Sequence, residues 1–407
     1  MSAEQIDPLL TPQGWELLAQ MPPYLESEAL SVASSLRKDG HSPELVSALL
    51  SQSKLRMRAR AKFGPFADQL LFTPDGLEQA TRLLVAGLHA QRFSDAGIQN
   101  IIDLGSGIGA DSLAFASAGM DVTAVDADEI TAAVATMNLT PFPNARVIHA
   151  LAEDTDWQKY DGVWLDPARR NSNTSGTTRI FDPQAFSPPL SFVEQVADSA
   201  HATGVKMGPG VPRDSVPESA EVQWLSVDGS VVEATLWWGA VSRRHAADPV
   251  RRSALVIAQG ARAELASSTD FGSTEPEIGE LGEYIYEPDG AVIRAELIAD
   301  AAEKVGGWTL DEHIAYFSAD SYTDTPFARG FKVVDVMPYN VKKLKSWVKA
   351  NNIGVLEIKK RGIDVTPEEL RKILLAGTPK TARNQATLIL TRLKAGRFAL
   401  VVEPQKN

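Results

Sequence analysis

The stretch Ile101-Ile102-Asp103-Leu104-Gly105-Ser106-Gly107-Ile108-Gly109-Ala110-Asp111 has the residue types and spacing of a ligand loop. It reads as the end of a buried strand, a glycine turn and the start of a helix. Such a turn leaves backbone N–H groups bare at a helix N-terminus, where a polar or anionic ligand can approach without meeting a Cβ. The next apolar run, Val122-Thr123-Ala124-Val125, ends in Asp126. An acid at that place, about 20 residues on, is where a doubly wound nucleotide site holds a ribose.

The glycines alone are ambiguous, because Gly105, Gly107 and Ala110 also satisfy the dinucleotide pattern G-x-G-x-x-A. Asp103 separates the two readings. A carboxylate two residues before the first glycine would repel a pyrophosphate and suits a cationic ligand. S-adenosylmethionine, with a sulfonium, an ammonium and no phosphate, fits that charge better than NAD. A third signal lies at the end of the fourth expected strand, Val163-Trp164-Leu165-Asp166-Pro167-Ala168-Arg169-Arg170-Asn171. The blander readings are a strand-end cap for Asp166 and a solvated pair for Arg169 and Arg170.

Together, Asp103 to Gly109, Asp126 and Asp166-Pro167-Ala168-Arg169 resemble the class I S-adenosylmethionine-dependent methyltransferases over roughly residues 70–240. Phe72-Thr73, Leu77 to Thr81, Asp166 to Arg170 and the basic C-terminal segment resemble, more narrowly, a bacterial group that joins this core to a C-terminal THUMP-like domain. The resemblance implies that Gly105, Gly107 and Gly109 let the backbone approach the cofactor. It implies further that Asp103 holds the methionine amino group, that Asp126 accepts from the ribose hydroxyls and that Thr73 borders the pocket. Many members reach the adenine amine with an acid after the third strand. Leu151 stands at that place here, so the contact passes to Glu153, Asp154 or a backbone group. Asp166, Pro167 and Arg169 are the expected catalytic residues, since the loop is similar to the N/D-P-P-Y/F loop of amino-group methyltransferases. Ala168 replaces the second proline and Arg169 the aromatic. A guanidinium plane can still stack on a base. THUMP domains in other proteins bind RNA, chiefly transfer RNA, so RNA is the expected partner.

The chain of 407 residues is long enough for two or three domains. It has no cysteine, which excludes disulfides, thiolate zinc sites and cysteine nucleophiles, and its six histidines show no metal-ligand spacing. No metal is therefore expected. The polar N-terminus and the lack of a membrane-length apolar run favour a cytoplasmic protein. The net charge of −12 is unevenly spread. Residues 331–407 hold 16 Lys+Arg and 6 Asp+Glu, a balance of +10, against 24 and 46, or −22, in residues 1–330. A basic tail on an acidic body suits an anionic polymer. Lys342, Lys343, Lys359, Lys360 and Arg361 are its candidate phosphate contacts, with Lys345 and Lys349 on the same helix face. A solvated basic face is the plainer alternative.

The elements that must position these residues are a Rossmann-like, doubly wound α/β sheet and a small mixed α/β tail. Residues 1–90 read as a helical region, broken into short pieces by proline, with Thr73 capping a helix that starts at Pro74. Residues 91–260 read as the methyltransferase core, 261–330 as a connecting region of open assignment, and 331–407 as the basic THUMP-like domain. Val222–Val227 and Val231–Trp238 read as a hairpin closing a sheet edge, and Ala291–Val305 as one helix. Trp237-Trp238 is expected in the core rather than as a stacking platform. Two other readings remain open at this point: a methyltransferase of a small molecule or protein, and a non-catalytic RNA-binding protein on the same fold.

Overall fold

Short apolar strands alternating with helices bury both sheet faces, which is the condition for a parallel sheet. The computed structural model, which describes residues 6–169, 186–273, 277–379 and 382–405, shows that sheet. The chain divides into two compact units: residues 1–207 with 236–242, and residues 208–235 with 243–407.

Among the described residues of the first unit, five α-helices precede the sheet: α1 (Pro12–Gln20), α2 (Ala29–Lys38), α3 (Pro43–Phe63), α4 (Pro74–Gln79) and α5 (Leu83–Asp95). Pro43 does not break the region as expected. It occupies the first turn of the 21-residue α3, where Ser42 accepts from the Leu45 N–H and the missing proline N–H costs nothing. The extended segment after α3 has its backbone satisfied by buried side chains. Gln52 pairs with both the N–H and the carbonyl of Phe72, Arg56 donates to the Leu70 carbonyl, and Asn138 pairs with both groups of Leu71. Such pairing lets an irregular strand lie in the interior at no cost in lost hydrogen bonds, and it fixes the approach to Thr73.

The strands are β1 (Asn100–Leu104), β2 (Asp121–Asp126), β3 (Ala145–His149), β4 (Gly162–Leu165), the short pair β5 (Ala168–Arg169) and β6 (Phe186–Ser187), and β7 (Ala202–Met207). Helices α6 (Ala110–Ser117), α7 (Glu129–Leu139) and α8 (Leu190–Ser199) connect them. The order is β3-β2-β1-β4-β7, followed by the Leu236–Gly239 end of a later strand. β1 pairs in parallel with both β2 and β4. The switch point, where a doubly wound sheet opens a ligand crevice, therefore lies between β1 and β4. Residues from the N-terminal helices share one core with Leu113, Ala124 and Leu139, so no domain boundary falls at residue 90. Trp237 and Trp238 are buried, as expected; Trp237 joins Trp164, Phe93 and His89 in an aromatic cluster.

The second unit begins with the expected hairpin, β8 (Glu221–Val227) and β9 (Ser230–Gly239), β9 running into the first unit at Leu236. Asp228 and Gly229 both have positive φ, the turn that matches the twist of paired strands. The hairpin does not close an edge: β8 pairs in parallel with β10 (Arg252–Ala258), and β11 (Ala261–Ser267) lies outside it. Next come β12 (Tyr284–Pro288), α9 (Gly290–Arg294), α10 (Ile298–Glu303), β13 (Trp308–Thr309) and β14 (Phe317–Ala319). The single helix expected over 291–305 is two, because Glu296 takes φ +53° between them. The tail supplies β15 (Ala328–Pro338), α11 (Val341–Ala350), β16 (Ile353–Arg361), α12 (Pro367–Leu375), β17 (Asn384–Leu393) and β18 (Gly396–Pro404). One seven-stranded sheet, β13-β14-β12-β15-β18-β17-β16, contains all its strands. The connecting region from Tyr284 to Ala319 thus belongs with the tail, and composition could not reveal this because its basic bias starts only later. Among the described residues no helix is long and apolar enough to cross a membrane, and no cluster of side chains is arranged to hold a metal.

Candidate active site

The loop between β1 and α6 is built by three left-handed glycines, Gly105, Gly107 and Gly109, at φ +84°, +56° and +86°. L side chains rarely adopt that conformation. A Cβ on Gly105 would stand 2.8 Å from the Asp166 carbonyl oxygen, so glycine is what lets the loop and the Asp166 turn touch. A Cβ added to Gly107 would meet no atom of the described residues within 4 Å, its chain neighbours aside, so the loop faces open space on that side. The N–H groups of Gly105 and Ser106 donate to the Val125 carbonyl and moor the loop to β2.

Asp103, near the end of β1, is 1% exposed. Its Oδ2 accepts from Ser112 Oγ at 2.5 Å, while Oδ1 has no hydrogen-bond partner among the described residues. Burial, reinforced by the charge of Asp111, pushes its pKa well above the usual carboxylate range. Ser106 Oγ in the same loop is also buried, with no partner among the described residues. Asp126, half-buried at the end of β2, braces the loop: Oδ2 accepts from the Gly107 N–H and Oδ1 from the Asp128 N–H, both at 2.9 Å. Burial raises its pKa too, against these two bonds.

Asp111 does more than complement a helix dipole. It is buried, accepts from Thr81 Oγ1 at 2.7 Å and meets His89 Nδ1 at 2.8 Å, tying α5 to α6. Burial alone would raise its pKa; the bond and charge of His89 hold it below the ordinary value. Thr73 caps α4 as its sequence suggests, accepting from the Gly76 N–H at 3.0 Å. Gly76 packs against Ile108 of the glycine loop, since a Cβ there would fall 2.5 Å from Ile108 Cγ2, and this brings Thr73 to the loop. Glu153 and Asp154 lie in a single turn after β3 (Ala152–Asp154), exposed to solvent.

Asp166 follows β4 directly, its N–H donating to the Leu104 carbonyl, and Pro167 behind it is buried. Arg169 lies in β5, paired with Phe186; Arg170 and Asn171 lie outside the described residues. Asp166 Oδ2 accepts from Lys206 Nζ at 2.6 Å. Lys206 is a residue that sequence reasoning missed. Its signal is a lone charge inside the apolar run Ala202 to Met207.

The tail residues are placed separately, in the second unit. Lys342, Lys343, Lys345 and Lys349 are all exposed on α11, whose Leu344 and Val348 are buried. Strand alternation on β16 divides the other three. Lys360 is exposed, whereas Lys359 is ion-paired with Glu287 at 2.7 Å and Arg361 lies over the Tyr316 ring, 5.5 Å from its centroid.

Whether these residues fit S-adenosylmethionine turns on Asp103. A buried carboxylate oxygen without a protein partner, next to a backbone that opens at Gly107, matches an ammonium donor and would repel a phosphate. Asp126, with a second lone pair on each oxygen, can still accept from a hydroxyl. The cofactor supplies an activated methyl group bonded to a cationic sulfur; the protein binds, orients and excludes water.

The comparisons with known proteins agree. Residues 66–179 match the methyltransferase small domain, residues 328–404 the THUMP domain-like family, and residues 2–59 a domain of unknown function (DUF8688). Two proteins of Mycobacterium tuberculosis, from strains CDC 1551 and H37Rv, are each 30% identical over 371 residues, covering 87% of this chain and 94% of theirs. Both are named as uncharacterised S-adenosylmethionine-dependent methyltransferases. The crystal structure of a protein provisionally assigned as a methyltransferase from Porphyromonas gingivalis W83 superposes with a TM-score of 0.72 at 18% identity, over 95% of this chain and all of that one, and so shares the fold. With the glycine loop, the open oxygen of Asp103 and these relatives in view, the chain belongs to the S-adenosylmethionine-dependent methyltransferases, a class I core joined to a C-terminal THUMP-like domain.

Proposed function

We propose that this methyltransferase acts on RNA, at an exocyclic base amine presented to Asp166. The observation that carries the RNA reading is the α11 face: four lysines exposed around a buried Leu344 and Val348, within a segment of balance +10. Charge of that kind on folded structure supports recognition of a phosphate backbone. In the first unit, Asp166 sits at the sheet's C-terminal edge beside the glycine loop, where an acceptor would meet the cofactor.

The chemistry asks little covalent work of the protein. S-adenosylmethionine would supply a methyl group already activated by its cationic sulfur, which would keep the bonding pair, and the surplus proton of the acceptor amine would leave to water. Asp166 orients the amine and favours the positive charge that develops on it. Gly105, Gly107 and Gly109 provide backbone access, Asp103 holds the ammonium and Asp126 the ribose. Thr73 borders the pocket, and Glu153 or Asp154 reaches the adenine side. Pro167 stiffens the acceptor turn, and Arg169 stacks on the base. Lys342, Lys343 and Lys360 contact phosphates. Lys359 and Arg361, turned toward Glu287 and Tyr316, support the strand that carries Lys360.

Mass spectrometry of RNA nucleosides from cells with and without the protein tests the reading. One methylated nucleoside should vanish in its absence and return on complementation, but not with Asp166→Asn. An unchanged nucleoside profile, with label from the methyl group entering protein or small molecules instead, contradicts it.

A further inference from the structure

Adjacent parallel strands set residues of equal register side by side. Leu165 of β4 faces Val205 of β7, so the next pair, at the strands' C-terminal ends, is Asp166 and Lys206. Lys206 Nζ donates to Asp166 Oδ2 at 2.6 Å and reaches the Gln79 carbonyl at 3.3 Å. The two side chains are 13% and 32% exposed. An ammonium so far withdrawn from water is unfavourable unless paired. It is not placed there chiefly to finish α4, because Lys62 Nζ already donates to the carbonyls of Leu77, Glu78 and Ala80 at that helix end. The shorter bond is the one to Asp166.

We propose that Lys206 is a positioning residue for methyl transfer, holding the Asp166 carboxylate in one orientation toward the acceptor amine. The inference rests on the reading of Asp166 as the acceptor-binding group. A carboxylate that stands alone on a turn can rotate about χ1 and χ2 and trade its partner for water. One clamped by an ammonium keeps the direction in which it receives an amine N–H, and in-line displacement at carbon tolerates little misdirection of the attacking lone pair. The contact with Gln79 also anchors Lys206 to α4, the helix that Thr73 caps beside the glycine loop. The acceptor-side carboxylate is thereby tied to an element that packs on the cofactor loop.

The test is a single-turnover assay at saturating methyl-labelled S-adenosylmethionine, with total RNA from cells lacking the protein as acceptor. Lys206→Met should transfer about 10- to 100-fold more slowly, the range that misplacement of a reacting group costs. Its Kd for S-adenosylmethionine by calorimetry should be unchanged, which also reports an intact fold. Lys206→Arg should recover most of the rate. Asp166→Asn and the double variant Asp166→Asn/Lys206→Met should be equally slow, because Lys206 acts only through Asp166. A wild-type rate for Lys206→Met beside a slow Asp166→Asn overturns the inference, as does a double variant in which the two losses multiply. A wild-type rate for Asp166→Asn overturns the underlying reading of Asp166 instead. Should Lys206→Met not fold, Lys206→Gln keeps a donor without the charge and carries the same expectations.

Discussion

The β1–β2 edge of the first unit and the α11 face of the second unit both depend on charge, and they use it in opposite ways. At the edge, a few carboxylates are withdrawn from water, and Asp103 keeps one oxygen without a partner. On α11, four lysines stand in solvent. A desolvated charge interacts strongly and with one geometry; a solvated charge interacts weakly and acts in numbers. Single substitutions should therefore be decisive in the first region and nearly silent in the second.

The largest effect is expected for Gly107→Arg. A non-glycine residue at φ +56° costs about 1–2 kcal/mol, and the side chain fills the space beyond the loop. Calorimetry should show S-adenosylmethionine affinity reduced by about 100-fold or more, since strain adds to occlusion, with the circular dichroism spectrum kept.

Asp103→Asn comes next. Removing a charge-assisted bond worth about 1.5–3 kcal/mol should weaken the cofactor by about 10- to 100-fold. The same change should stabilise the ligand-free protein at neutral pH. The folded-state pKa of Asp103 is raised, so its favourable contribution is complete below the unfolded pKa of about 4 and is lost as pH rises through the higher folded value. The Tm gap between variant and wild type should widen as pH rises across that window. Equal melting at all pH values would show that the buried carboxylate costs nothing.

Much of this contrast was legible in the sequence. Glycines at fixed spacing and acids at strand ends mark the β1–β2 edge, because left-handed turns and strand C-termini impose those residue types locally. The basic tail was visible by counting. What stayed hidden depends on neighbours distant in sequence. Lys206 meets Asp166 only because β4 and β7 become neighbours, and Ser112 finds Asp103 across the β1–α6 turn. Gln52 and Asn138, which steady the approach to Thr73, are unremarkable in a helix pattern. Lys359 looked equivalent to Lys360 until strand alternation gave it Glu287. The connecting region carries no motif, and its place in the tail sheet follows from the β12–β15 pairing alone.

Smaller effects sharpen the other side of the comparison. Changing Lys342, Lys343, Lys345 and Lys349 together to alanine should lower RNA affinity about tenfold. It should also make the log–log salt slope shallower by about 0.7 to 0.9 for each phosphate that is no longer neutralised. S-adenosylmethionine binding should not change. Lys343→Ala alone should cost less than about threefold, as expected of one exposed cation among several. A single lysine that abolished binding would mean that this face works as a specific pocket, like the other region.

The most direct measurement is calorimetric titration of S-adenosylmethionine into the intact protein in two buffers of different ionisation enthalpy. A cation that draws Asp103 into its charged form should release protons on binding, and Asp103→Asn should bind weakly with that release gone. Binding without proton release, at the same affinity in wild type and Asp103→Asn, would contradict the role assigned to the Asp103 carboxylate.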